Sequence, residues 1–391
     1  MRSLGVGSVL LLAFVGCAGR ALVPQAPHPA LEEGDRLRRA GRTEDAVEAY
    51  RRAIESEPRS TRAHLRLVEA FLADGRANEA RTLYAARASS PAATTADRAL
   101  RDRLASDGST ASLRAVYEEA ARQEPASAWW PLALAEVELG SAFEEDARRR
   151  AAVARGDRDA ERAAADARRA SFARADEALR RARALDPASP ETDLDLGHLR
   201  AAEGDLELGS SARRAAYREA EAAFVRAVRR APDLVPAWEG LGDVRLRSDD
   251  PRGALEACLA AARLAPEDGR IRLAVGVALH RIGRFDEAAE QYQAAALLLP
   301  SDADPWLRLG DARADAERWD AALVAYDEAL RRDPAEAEAH FRAASVLEQL
   351  GRGTEARVRY ERYLALGGAR EGTAQRRIER IVKASAGSGG R

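Results

Sequence analysis

The chain has 391 residues, of which 32% are charged and 5% aromatic, with a formal net charge of −2. So few aromatic side chains exclude one large globular core and suit a thin, extended core rich in Ala and Leu. The near balance of charge excludes the basic footprint that nucleic-acid binding needs.

Residues 1–16 read as an export signal. Arg2 and the terminal amine make a positive start, and Val6 to Val15, broken by Gly7 and Ser8, makes the apolar run. That run is shorter than the roughly 20 apolar residues of a membrane-spanning helix. It ends in Phe14-Val15-Gly16-Cys17, which resembles a bacterial lipobox. The resemblance implies that the Cys17 thiol carries diacylglycerol and that cleavage frees the Cys17 amine for a further acyl chain. Two or three acyl chains anchor a protein firmly, whereas one gives marginal binding. A conventional signal peptide with an incidental Cys17 is the alternative. Ala18 follows, where an Asp commonly retains such lipoproteins at the inner membrane. The resemblance therefore points to the outer membrane, with the protein facing the periplasm. Residues 17–29, with Pro24, Pro27 and Pro29, read as a Pro-rich tether.

Residues 30–370 repeat. Aligned aromatic positions fall at Tyr50, Tyr84 and Tyr117, then at Leu179, Phe224, Cys258, Tyr292, Tyr326 and Tyr360, with a constant period of 34 from Phe224 onward. The longer gaps on either side of Leu179 place helical insertions near 141–166 and 204–214. In the segment Asp304–Pro334, Trp306, Leu309, Gly310 and Arg313 recur at helical spacing, as do Ala322, Tyr326 and Ala329. Pro334 stops the second helix, because proline cannot donate inside one. Each unit predicts a helix–turn–helix that cannot bury its apolar face alone and must stack on its neighbours.

Together with Trp319, and with Trp238, Leu241, Gly242, Ala254, Ala261 and Pro266 earlier in the chain, these residues make the segment similar to the tetratricopeptide repeat family. The resemblance implies an all-α fold: a right-handed superhelical solenoid of about nine units whose first helices line a concave groove. Residues 141–183, Ala-rich and mixed in charge, predict two long helices turning near Arg155–Arg158. They serve either as an arm for a partner or as a solvated extension. Residues 371–391 predict a capping helix and a loose tail, with Ile378, Ile381 and Val382 covering the last apolar face and the arginines in solvent. A basic docking helix is the alternative.

The five histidines lie in different units without metal-ligand spacing. Cys258 occupies an aromatic position and reads as core. No catalytic constellation is present, so the chain is expected to bind rather than catalyse, without metal or cofactor. The family resemblance places particular positions of each unit in the groove. The candidate groove-binding residues are Leu273 and His280, then Leu307, Arg308 and Asp311, then Phe341 and Arg342. They suit a protein or peptide ligand with some acidic character, although Leu307 and Phe341 equally fit packing between helices. The Lys and Asn of the carboxylate clamp known in one subfamily are not there.

The expectation is a lipid-anchored scaffold for protein–protein interactions in the bacterial cell envelope. Similarity to other lipoproteins suggests assembly of a secretion, pilus or outer-membrane complex. The alternatives are a self-associating structural envelope protein and a non-catalytic regulatory subunit of an enzyme. The sequence leaves the oligomeric state open.

Overall fold

The computed structural model describes residues 29–39, 42–57, 61–91, 93–106, 110–206 and 209–388. The export signal, Cys17 and all but the last residue of the tether lie outside the described residues. All regular structure among the described residues is α-helical, and none of the helices is long and apolar enough to cross a membrane. The chain divides into two compact units between Ser248 and Asp249.

The N-terminal unit holds α1 (Pro29–Arg39), α2 (Thr43–Ser56), α3 (Thr61–Ala73), α4 (Ala77–Ala88), α5 (Thr95–Ala105) and α6 (Thr110–Gln123). It continues with α7 (Trp129–Arg155), α8 (Arg158–Leu185), α9 (Pro190–Leu206), α10 (Ser210–Arg230) and α11 (Val235–Arg247). The C-terminal unit holds α12 (Pro251–Leu264), α13 (Gly269–Arg281), α14 (Phe285–Leu298), α15 (Asp304–Asp315), α16 (Trp319–Arg332), α17 (Ala337–Gln349), α18 (Gly353–Ala365) and α19 (Glu371–Ser388).

In several hairpins a glycine on the first helix meets a large ring on the second. A Cβ added at Gly34 would lie 2.5 Å from the Tyr50 ring, one at Gly276 2.6 Å from Tyr292, and one at Gly310 2.4 Å from Tyr326. The glycines let the two backbones approach closely, and the tyrosines they admit are almost fully buried. Cys258 is buried at the equivalent position of α12, a smaller filler where other units place a ring.

Several of the hairpin turns contain a left-handed residue. Gly283 and Gly351 supply it without a steric penalty, while Asp249 and Glu317 adopt φ of 63° and 58° at the corresponding places. After α15 the Arg318 amide returns to the Arg313 carbonyl at 2.8 Å and the Glu317 amide to Ala314 at 2.9 Å, which closes the helix end.

The helices α7 and α8 run to 27 and 28 residues, against 12 for α15 and 14 for α16. Gly156 ends α7 in the left-handed region, and the Asp157 side chain then accepts the Ala160 amide at 3.0 Å to start α8. Leu132, Phe172 and Leu179 hold the base of this hairpin, while its outer part is lined by small side chains. Ala142, Ala152, Ala164 and Phe172 are buried between the helices. The buried Asp146 accepts Arg168 of the opposite helix at 2.8 Å and pairs with Arg149 and Arg150 of its own. The next hairpin, α9–α10, is also long. At its base Asp193, with no exposed surface, takes Arg226 at 2.8 Å, Arg230 at 2.5 Å and Arg183.

At the C-terminal end α19 covers the last apolar face differently from the sequence expectation. Ala374, Ile378 and Ile381 pack against the cluster of Phe341, Tyr360 and Tyr363. Val382 is 43% exposed, because helical spacing turns it to one flank of that stripe. Arg377, on the opposite flank, is not left in solvent: its Nη1 donates to Glu348 and to the Tyr360 hydroxyl, both at 3.0 Å.

Candidate functional site

The first helices α13, α15 and α17 carry the groove candidates. Burial alone would favour a neutral Arg308, but its hydrogen bond to Asp304 at 3.0 Å and that residue's charge more than reverse this and keep the guanidinium charged. The His280 Nε2 lies 2.7 Å from Asp315 Oδ2, and its ring meets Phe285 and Tyr292 edge-on. Leu273 is half-buried on α13. Asp311 does more. It accepts the Tyr326 hydroxyl at 2.8 Å through Oδ1 and binds Arg342 through Oδ2. Burial first, and then the charge of Asp311, raise the Tyr326 phenol, so it remains a donor to that carboxylate.

These contacts border a cavity of about 400 Å³ on α17. Trp319, Tyr326 and Phe341 form its aromatic wall, Ser345 and Gln349 are polar, and Glu338, Arg342, Arg370 and Arg377 are charged. Of the sequence candidates, Phe341 and Arg342 line it directly, and Asp311 touches it through Arg342. Leu307 packs into the apolar cluster beneath. The lining does not include Leu273, His280 or Arg308. Phe341 is 5% exposed, and its ring centroid lies 5.3 Å from Tyr360 and 5.0 Å from Tyr363. It is therefore the floor of the cavity and part of the core at once. The Arg370 guanidinium stacks 4.1 Å above it.

Sequence reasoning missed Arg370, Arg377, Trp319 and Glu338 as site residues. Trp319 passed as a repeat signature. Arg370 closes the last repeat and Arg377 follows it, and the family resemblance assigns neither a groove position. One signal was available: Arg377 directly precedes Ile378 on the face of α19 that must pack.

The N-terminal unit's first helices hold a charged interior instead. Arg66 donates to Glu69 at 3.0 Å and pairs with Asp35 at 3.2 Å, while the Tyr50 hydroxyl donates to Asp35 at 2.8 Å. Burial pushes the Glu136 carboxyl well up, helped by Asp195 and Glu69. Asp195 is likewise raised by burial and then by Glu191. Both groups are thereby held toward the neutral acid. Among the described residues no group of three or more His, Cys, Asp or Glu side chains is placed to hold a metal ion.

Comparison with known proteins agrees with the hairpin architecture. A family model for the tetratricopeptide repeat matches residues 31–94, 210–268, 239–305 and 307–371, together more than half of the chain. No curated protein matches the chain. Among solved structures, MamA is 21% identical, with 44% of this chain and 98% of that one covered at a TM-score of 0.39. YrrB, described as a TPR protein with an unusual peptide-binding site, is 17% identical, with 48% and 91% covered at 0.41. The Cut9–Hcn1 structure is 16% identical, with 90% and 75% covered at 0.42.

Proposed function

We propose that this chain, which belongs to the tetratricopeptide repeat family, is a scaffold that holds a partner protein through the first-helix face of its C-terminal unit, and that it does so at the bacterial cell envelope. The observation that carries the binding role is the cavity of about 400 Å³ on α17, where an aromatic wall stands beside three arginines. An apolar wall supplies affinity by burial, and fixed charges supply orientation.

The envelope location rests on the sequence Phe14-Val15-Gly16-Cys17 and its lipobox resemblance. Acyl chains on Cys17 would confine the protein to one membrane surface and raise its effective concentration toward partners there. The tether through Pro24 and Pro27 would give it reach. Assembly of a secretion, pilus or outer-membrane complex is the narrower role that this placement suits.

Two measurements test the reading. Crosslinking and mass spectrometry on solubilised envelopes should capture a foreign protein with the wild type and lose it with Trp319→Ala/Arg342→Ala. Self-crosslinks alone, or a partner indifferent to the variant, would remove the groove role. Metabolic acyl labelling should mark the wild type and not Cys17→Ser. Equal labelling would remove the anchor.

A further inference from the structure

We infer that α19 is a binding element rather than an inert cap, and that the cavity on α17 takes an acidic side chain of a partner, for which Glu338 is a resident stand-in. The inference rests on the groove reading above and names the chemistry of what the groove receives.

Three arginines line the cavity against one glutamate, and Asp311 and Glu348 answer Arg342 and Arg377 from outside the lining. Two of the three, Arg370 and Arg377, belong to α19 and the turn that leads into it. Glu338 answers two guanidiniums with one oxygen: its Oε1 accepts Arg342 Nε at 3.1 Å and is also paired with Arg370. Each guanidinium has about five N–H donors and is suited to a two-oxygen carboxylate. Arg342 is also met by Asp311 and Arg377 by Glu348, so the guanidinium with capacity left for a second carboxylate is that of Arg370, paired through the one shared oxygen.

Glu338 keeps 28% of its side chain exposed, so it can turn out to water and leave its place to an incoming group. Arg370 is held by its stacking on Phe341, and Arg377 by Glu348 and Tyr360. The cations are thus positioned by partners other than Glu338 alone, and their arrangement can outlast its departure. Trp319 and Val346 supply apolar wall for the residue beside the partner's Asp or Glu. The partner segment is therefore acidic, with an apolar side chain beside the acid.

The test uses the mature full-length protein and an array of short peptides, acetylated and amidated at their ends, in matched pairs with Asp and Glu replaced by Asn and Gln. The wild type is expected to prefer the acidic member. Arg370→Ala should weaken that binding about tenfold, the scale of one charge-assisted contact. Glu338→Gln should strengthen it, because the amide no longer competes for the guanidiniums. Circular dichroism checks that each variant keeps its helices. Peptides lost on Trp319→Ala but indifferent to acid, to Arg370→Ala and to Glu338→Gln would overturn this inference and leave the groove reading standing. Weaker acidic binding in Glu338→Gln would overturn the stand-in. Preference confined to peptides with a free C-terminal carboxylate, added as a control set, would overturn the internal side chain as ligand. No binding by any peptide would overturn both readings.

Discussion

A methyl group at Gly310 would sit 2.4 Å from the Tyr326 ring, well inside van der Waals contact. Two effects oppose each other there. Alanine favours a helix interior over glycine by roughly 1 kcal/mol, while overpacking a buried contact costs about 1–3 kcal/mol. The ring is almost fully buried and also bonded to Asp311, so it has little room to yield. Gly310→Ala is expected to destabilise the C-terminal unit by about 1–2 kcal/mol, read as a lower urea midpoint.

A second residue, His198, gives the protein a weakness to acid. Burial lowers its imidazole to about 4, with the ring 5.1 Å from Phe224. The folded state thus keeps it neutral where the unfolded chain would bind a proton. Its contribution is fully present above about pH 6.5 and is lost as the pH falls toward 4, by at most about 3 kcal/mol. Urea midpoints at pH 7 and pH 4.5 should fall further for the wild type than for His198→Gln. An equal fall in both would assign the acid sensitivity to other groups.

At the scale of elements, the outer part of the α7–α8 hairpin is tied by an ion-pair hub among small buried side chains. Asp146 is the hub, buried and bonded to arginines on both helices. Asp146→Ala is expected to open the outer part of the hairpin, costing about 1–3 kcal/mol because the arginines lose a desolvated partner. Hydrogen exchange should quicken in residues 143–165 while amides of α13 to α17 keep their protection. Uniform quickening would instead make the hairpin part of one cooperative unit with the rest. The helices themselves were legible in the sequence, because Ala, Arg and Glu at these densities favour helix and Gly156-Asp157 punctuates them. Their hub was not. Asp146 is one of many acids on a mixed-charge surface, and only three-dimensional placement distinguishes it. The candidate site divides in the same way. The family resemblance implied Phe341 and Arg342 because it assigns groove positions within a repeat. It could not find Arg370, which closes the last repeat outside those positions and reaches the cavity from the turn before α19.

At the scale of the molecule, the register of the C-terminal unit is its clearest property. The contact of Gly276 with Tyr292 is reproduced by Gly310 with Tyr326, in the same geometry and 34 residues later. Removing residues 285–318 would join Arg284 to Trp319 and place Gly276 opposite Tyr326, with every small-to-large contact restored. This deletion is expected to fold cooperatively with reduced unfolding enthalpy, since stability in such arrays is close to a sum over repeats and their interfaces. Removing one residue more or fewer should instead give a poorly folded chain. Scanning calorimetry on the three deletions separates these outcomes.

The close glycine–tyrosine contact thus has a meaning beyond packing. Where neighbouring seams share a shape, as those of Gly276 and Gly310 do, dropping or duplicating one period meets no new steric problem. The length of this array is then a quantity that heredity can adjust in whole steps, while the long hairpins and the helix after the last repeat are where one lineage can come to differ from another.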